Sequence, residues 1–261
     1  DFLDKEAPQI IVNFAAQSEV GPSWDFPEHW FQTNCVALAR LIKHLSVRDY
    51  LQKYLHVSSP EVYGSCEGNV TEESQMFPST PYAASKAAAD MLLKSFADHT
   101  DFPLLTVRAT NVYGARQQLF KIIVRACIYI RLGRKIQLHG GGQAAKSFIH
   151  VRDVSKGELA ILERGRVGDI YHLSPDTSIK VREVVRVIAD CMGTTLRAIS
   201  EDTVDRLGQD AVYEIDSSKA RSELDWKPET SLDHGVREVV QWVDKNWDQI
   251  KQMPHEYIHK P

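Results

Sequence analysis

Apolar runs alternate with stretches of helical period along this chain. Residues 10–16 are a continuous apolar run ending in small residues, which predicts a buried parallel strand. Residues 27–44 place Phe31, Cys35, Leu38, Leu41 and Ile42 at helical spacing. Residues 55–59 predict a second short strand. Thr80-Pro81 then predicts a helix start, with Thr80 as N-cap and Pro81 in the first helical position. That helix runs through an alanine-rich stretch to about residue 98, and residues 104–108 predict a third strand.

The second half alternates less regularly. Residues 120–132 predict a helix, Gly140-Gly-Gly142 a turn, and residues 147–151 a short strand. Asp153 is expected to cap a helix reaching about residue 163. Residues 170–173 read as strand, 181–192 as amphipathic helix, and 217–224 and 232–247 as the last helices. Strands alternating with helices imply βαβ units and a mostly parallel sheet, an α/β fold. The irregular second half predicts a smaller α/β lobe interleaved with the sheet unit.

Composition narrows the partners. The 261 residues are 43% hydrophobic, enough for a sizeable core in one large domain or two small ones. Lys and Arg total 31 against 35 Asp and Glu, a net charge of -4 with the signs interspersed. Nothing there points to nucleic acid or an anionic membrane surface. Cys35, Cys66, Cys127 and Cys191 form no close pair, which argues against a zinc or redox motif and predicts reduced thiols in a cytoplasmic protein. No apolar run is long enough for a bilayer, and no signal peptide opens the chain. Residues 1–7 read as the end of a helix running into a strand. The chain is therefore expected to be a fragment or an incompletely ordered product, with a native start after processing as the alternative.

The chemistry gathers in two segments. Tyr82-Ala-Ala-Ser-Lys86 puts a phenol and an ammonium four residues apart, on one face of a helix. Tyr82 falls in the first turn, where the helix dipole favours a phenolate, and a nearby ammonium is expected to lower its pKa further. Such a tyrosine can act as a general base on a sugar hydroxyl. A lone Tyr and Lys at this spacing is by default an exposed pair. The strand at 55–59 followed by Pro60-Glu61-Val62-Tyr63-Gly64 changes that weighting. It leaves Ser58, Ser59 and Glu61 near the carboxyl end of a parallel strand, where open α/β sheets bind ligands.

Three ordered segments, Val57-Ser-Ser-Pro-Glu-Val-Tyr-Gly64, Ser79-Thr-Pro-Tyr-Ala-Ala-Ser-Lys86 and Arg108-Ala-Thr-Asn-Val-Tyr-Gly114, resemble the extended short-chain dehydrogenase/reductases. Within that family the chain looks most like nucleotide-sugar 4,6-dehydratases, with 4-epimerases and decarboxylases as close relatives. Asn13 to Val20, Thr33-Asn34, Lys146 to Asp153, Asp216 to Ala220 and Leu224 to Pro228 add matches in order, so the resemblance spans nearly the whole chain. It implies a Rossmann-like, doubly wound parallel sheet, N-terminally truncated, with a smaller α/β substrate lobe. The division expected is 1–114 and 147–176 for NAD, and 115–146 and 177–261 for the nucleotide sugar.

The resemblance also implies roles. Tyr82 would take the proton from the hydroxyl on sugar carbon 4 while NAD takes the hydride. Lys86 would bind the nicotinamide ribose and hold the phenol pKa down. Ser59 would hydrogen-bond the same sugar oxygen, and Glu61 would remove the proton on carbon 5. Ala15, Ala16, Ser18 and Ser58 sit where the family approaches the cofactor. Asn111, Lys121, Lys146 and Arg206 match positions near the nucleotide and diphosphate, with a surface cation the competing reading for the last three. Asn34 is expected to pin a neighbouring strand. Many members carry Asp immediately before the Glu; Pro60 stands there and cannot donate a proton. An epimerase needs no such acid, and a decarboxylase could use the same keto activation. A non-catalytic relative is a third reading, against which the joint presence of Tyr82, Lys86 and Glu61 weighs. Two long helices, about 27–44 and 81–98, would pair in a homodimer, although alanine-rich faces also pack on their own sheet. The glycine loop that cradles the pyrophosphate is absent from the sequence, Gly140-Gly-Gly142 lacking the flanking strand and helix. It is expected to lie upstream, so this chain alone is expected to bind NAD weakly, as calorimetry would read.

Overall fold

The structure, a computed structural model, describes residues 2–66, 68–204 and 214–260. In chain order the strands are β1 (Ile10–Asn13), β2 (Lys53–Val57), β3 (Leu104–Ala109), β4 (Asn111–Tyr113), β5 (Ile136–His139), β6 (Ala145–Lys146), β7 (Phe148–His150), β8 (Ile170–Leu173), β9 (Ile179–Lys180) and β10 (Ser200–Thr203). The helices are α1 (Phe2–Glu6), α2 (Val20–Ser23), α3 (Pro27–Phe31), α4 (Leu38–Leu45), α5 (Pro81–His99), α6 (Ile122–Arg131), α7 (Val151–Arg164), α8 (Val181–Cys191), α9 (Leu196–Ile199), α10 (Ser218–Leu224), α11 (Leu232–Lys245) and α12 (Trp247–Ile250). A π-helical segment, Gln32–Ala37, joins α3 to α4.

The main sheet has the order β1-β2-β3-β8, with every neighbouring pair parallel. Side chains alternate across it, as a period of two requires. Tyr54 and Leu104 enter a core with Leu38 and Ile42 of α4 and Leu93 of α5. Leu55 and Leu105 point the other way, into a core with Ile161 of α7 and Leu224 of α10. Helices thus cover both faces, the doubly wound α/β arrangement expected. β1 forms one edge, and Ile10 and Phe14 beside it are exposed.

A further core lies beyond the sheet. Ile128 of α6, Ile188 of α8 and Val239 of α11 pack together with Leu138 of β5, all buried. Each such side chain contributes roughly 1.5–3 kcal/mol when fully buried. α10 and Trp226, assigned from sequence to this second lobe, pack instead on α7 and β8 of the sheet unit.

Two local departures have clear causes. β1 stops at Asn13, whose side-chain oxygen accepts from the Ala15 amide at 3.1 Å and turns the chain away. Asp153 does not cap α7. His150 holds that position, its ring Nδ1 accepting from the Arg152 amide at 3.3 Å. Asp153 lies buried in the first turn and accepts from the Thr230 amide at 2.9 Å, fastening α7 to the segment after α10.

A buried polar network crosses the sheet. The Asp90 carboxylate of α5 accepts from Arg108 of β3 at 2.7 Å and from the Ser58 hydroxyl at 2.7 Å. Arg108 also donates to the Tyr63 hydroxyl, which lies 2.7 Å from Nε2 of His172 on β8. His172 completes the chain through Nδ1, 2.9 Å from the Asp216 carbonyl. Arg108 is 2% exposed and His172 fully buried. Burial, with Arg108 close by, pushes the His172 imidazole down to about 3.

Removing one partner leaves a buried charge uncompensated. Arg108→Ala is expected to destabilise the fold by roughly 3–5 kcal/mol, read by urea unfolding. The neutral His172 ring stabilises the fold fully above about pH 6.5, and that contribution is lost as pH falls toward about 3. Unfolding free energy should therefore decline across that window, and His172→Gln should make the decline shallower.

Candidate active site

The site is built at the carboxyl ends of β2 and β3. Ser59, two residues after β2, caps a 3-10 turn over Pro60–Tyr63: its Oγ accepts from the Glu61 amide at 3.2 Å. Pro60 suits the first helical position. The turn ends at Gly64 with φ 70, where a Cβ would meet the Phe77 carbonyl oxygen at 2.2 Å. Only glycine fits that close approach.

α5 begins as its sequence predicts. Thr80 Oγ1 accepts from the Ala83 amide at 3.1 Å, and Pro81 opens the helix. The Tyr82 amide donates to Ser23 Oγ at 3.2 Å, which fixes the first turn against α2. The Tyr82 phenol and the Ser59 hydroxyl line the same cavity and interact electrostatically. Asn34, buried, ties the loop after β1 to this helix: its Oδ1 accepts from the Gln17 amide at 2.8 Å, and its Nδ2 donates to Ser85 Oγ at 2.9 Å.

Tyr82 and Lys86 share a face of α5, but the expected lowering of the phenol pKa is overturned. Burial pushes the Tyr82 phenol well above its ordinary value, and the Glu61 carboxylate raises it further; the nearby Ser59 hydroxyl only partly offsets them. The Lys86 ammonium points elsewhere. It is buried at 2% exposure and donates to the Val57 carbonyl at 2.9 Å. A buried cation needs acceptors and counter-charge, and the carbonyl ending β2 and Asp90 one turn along supply them. Burial nevertheless holds the Lys86 pKa below its usual value.

Two cavities meet here. The first, about 470 Å³, has Val57, Ser58, Ser59 and Ala109 in its walls, with Phe14 on one side and α7 on the other. The second, about 540 Å³, opens toward α6 and β5 and includes Lys121, Arg125 and Lys146. Glu61, Tyr82 and Asn111 line both. Among the described residues, the first cavity has no Lys or Arg in its lining, whereas the second has several. A flat, uncharged or cationic ring with hydroxyl contacts fits the first, and an anionic diphosphate fits the second. The pyridine end of a dinucleotide therefore matches the first cavity. Among the described residues, no glycine-rich strand-to-helix turn stands ready for its pyrophosphate.

The remaining sequence candidates divide. Ser58 lines the first cavity while its hydroxyl donates to Asp90. Ser18 lines the second cavity rather than the first. Ala15 and Ala16 are exposed and line neither. Lys121 pairs with Glu19, whose backbone sits at φ 113, an unfavourable region for a non-glycine residue. Arg206 lies outside the described residues. Among the described residues no cluster of side chains is arranged for a metal ion. Nor is any helix there long and apolar enough to cross a membrane.

The sequence reading missed several wall residues. Arg125 reaches the second cavity from α6, and Glu256 and Tyr257 reach it from the C-terminal tail. The tail is held by stacking: His259 lies against Phe26 and Trp30, with ring centroids 4.7 and 5.4 Å away. Glu158 of α7 lines the first cavity. Its only sequence signal was a carboxylate on a helix face otherwise apolar.

Comparison with known proteins agrees with this geometry. Residues 1–239 match the family described as GDP-mannose 4,6 dehydratase. A dTDP-glucose 4,6-dehydratase of Xanthomonas campestris is 31% identical, over 95% of this chain and 76% of that protein. One from Mycobacterium tuberculosis is 32% identical, over 92% and 74%. The crystal structure of a dTDP-glucose 4,6-dehydratase from Streptomyces venezuelae with NAD bound superposes with a TM-score of 0.89. It is 30% identical and covers 95% of this chain and 77% of that one. A UDP-glucuronic acid 4-epimerase from Bacillus cereus shares the fold at 22% identity and a TM-score of 0.87. The chain belongs to the GDP-mannose 4,6 dehydratase family, within the NAD-dependent extended short-chain dehydrogenase/reductases.

Proposed function

We propose that this chain is an NAD-dependent nucleotide-sugar 4,6-dehydratase. The observation that carries the reading is the wall shared by the two cavities: Tyr82 and Glu61 face both, so one sugar ring can meet a phenol and a carboxylate together. When bound, NAD would supply the hydride acceptor for sugar carbon 4 and the hydride source for carbon 6. Tyr82 takes the proton of the carbon-4 hydroxyl, and Ser59 holds the same oxygen. The 4-keto group makes the carbon-5 proton acidic, and Glu61 removes it. Water leaves from carbon 6. Pro60 offers no proton, so Glu61 delivers the one it captured, directly or through a water. Glu61 then takes a proton from solvent and returns it to carbon 5 as the hydride arrives at carbon 6, and Tyr82 releases its proton to solvent. Asn111, Lys121 and Lys146 meet the nucleotide and diphosphate, and Arg125 joins them. Lys86 serves the cofactor ribose from the end of β2, where Val57 enters the cavity wall; Ser58 stands in the cofactor-side wall, and Ala15 and Ala16, outside both cavities, leave the loop after β1 open to the cofactor.

We assign residues 1–114 and 147–176 to NAD, and 115–146 and 177–261 to the nucleotide sugar, except that α10 and Trp226 pack with the NAD-side sheet and residues 18–22 reach into the second cavity. A cytoplasmic homodimer completes the proposal. Phe31 and Met91 are exposed on the helices expected to pair, at 39% and 57%. Ala83, Ala87 and Ala89 are buried within the chain itself and leave that face to its own packing. Sedimentation at micromolar concentration should show twice the chain mass.

Pro60 favours a second reading, a 4-epimerase or decarboxylase, which need no acid at carbon 6. Product analysis separates the three. With NAD and a panel of dTDP-, UDP- and GDP-sugars deuterated at carbon 4, the expected product is a 4-keto-6-deoxy sugar carrying deuterium at carbon 6. An epimer or released carbon dioxide would replace the leading reading. Glu61→Gln should lower turnover about 10²–10⁴-fold.

The ionisations of Tyr82 and Glu61 oppose each other, because each charge disfavours the other. Glu61→Gln should therefore shift the Tyr82 phenol titration downward, toward the ordinary tyrosine value. Ultraviolet difference titration against Tyr82→Phe would read it, and an unmoved titration would contradict the coupling.

A further inference from the structure

α7 presents an apolar face to the sheet, with Val154 and Ile161 in the core. Glu158 lies one turn beyond Val154 on that face, where helical spacing calls for an apolar side chain. It is 8% exposed and has no hydrogen-bond or ion-pair partner among the described residues. A carboxyl buried without a partner is costly, and one kept at a cavity wall marks a binding site for a donor or a cation. Burial alone, without a charged neighbour, raises it to about 7.

The cavity narrows the choice of occupant. Glu158 lines the first cavity and not the second, so it stands away from the diphosphate-binding cations. Phe14, Val57 and Val154 supply apolar walls, and Ser155 a hydroxyl. With two carboxyls and no Lys or Arg among the described residues, this lining repels phosphate and suits a flat ring bearing positive charge and amide donors. The pyridine end of NAD carries both in its oxidised form.

We propose that Glu158 is a cofactor-site residue whose carboxyl faces the pyridine end of NAD, accepts a hydrogen bond from it, and favours the oxidised cationic ring over the reduced neutral one. The proposal rests on the reading of the first cavity as the cofactor side. Glu61 and Tyr82 are the other titratable groups lining that cavity. Beneath α7, Arg108 is engaged by Asp90, and His172 by Tyr63 and the Asp216 carbonyl. On α7 itself Asp153 accepts from Thr230, and Arg152 and Lys156 pair with Glu238 and Glu229. From α10, Lys219 pairs with Asp169, and Glu223 accepts from Tyr171.

The test titrates the chain and its Glu158→Gln variant with nicotinamide mononucleotide, oxidised and reduced, by calorimetry at about pH 6 and about pH 8.5. These probes carry the pyridine end without the adenylate half. The wild-type preference for the oxidised form should grow roughly tenfold between the two pH values, as the carboxyl ionises. Glu158→Gln should lose that gain while keeping its circular dichroism spectrum. The wild-type pH dependence stands as evidence even if the variant does not fold. A wild-type ratio that is flat with pH, or a folded variant that retains the gain, overturns the proposal. Failure of both forms to bind the wild type also overturns it, while product formation from nucleotide sugars judges the catalytic reading separately.

Discussion

The buried pairing of Asp90 with Arg108 is the constraint around which the rest of this structure is arranged. It joins α5 to β3 through a carboxylate and a guanidinium that are almost wholly out of water. Such pairs return little net stability, because desolvation cancels most of the attraction. Their value here is positional. Ser58 hangs from the same carboxylate, and Tyr63 from the same guanidinium. Those two residues bracket Ser59, Pro60 and Glu61, so the site's hydroxyl and carboxylate occupy a turn clamped at both ends.

The clamp also explains the behaviour of the Tyr82 and Lys86 pair. A spacing of four residues establishes a common helix face; it does not establish that two side chains face each other. Lys86 is drawn to the Val57 carbonyl and the field of Asp90, both products of tertiary packing. Tyr82 is left beside Ser59 and Glu61, and its phenol is less acidic than spacing alone suggests. A phenol so placed keeps its proton in the unliganded chain.

Much of the fold was legible because its signals are local. Thr80 and Pro81 mark a helix start by their own chemistry, and the apolar runs at β2 and β3 can only be buried strands. Ser59 and Glu61 were legible for the same reason, each following the end of a strand, whereas Asn111 was legible only through the resemblance of its segment to the family. Asp153 was misread because its pairing with Thr230 lies 77 residues away. β5 and β10 escaped notice because they are short, and the second is polar throughout. Glu256 and Tyr257 join the site only because the tail folds back onto Phe26 and Trp30, a contact without a local signature.

The shared partition between the chambers has a thermodynamic corollary. A guest on either side becomes part of the surface its neighbour meets, because three side chains belong to both rooms. Whatever factor the first guest contributes to retention of the second must be returned in equal measure. On the proposed reading, selectivity for the sugar and grip on the dinucleotide become one property seen from opposite sides of Asn111, which lines both chambers.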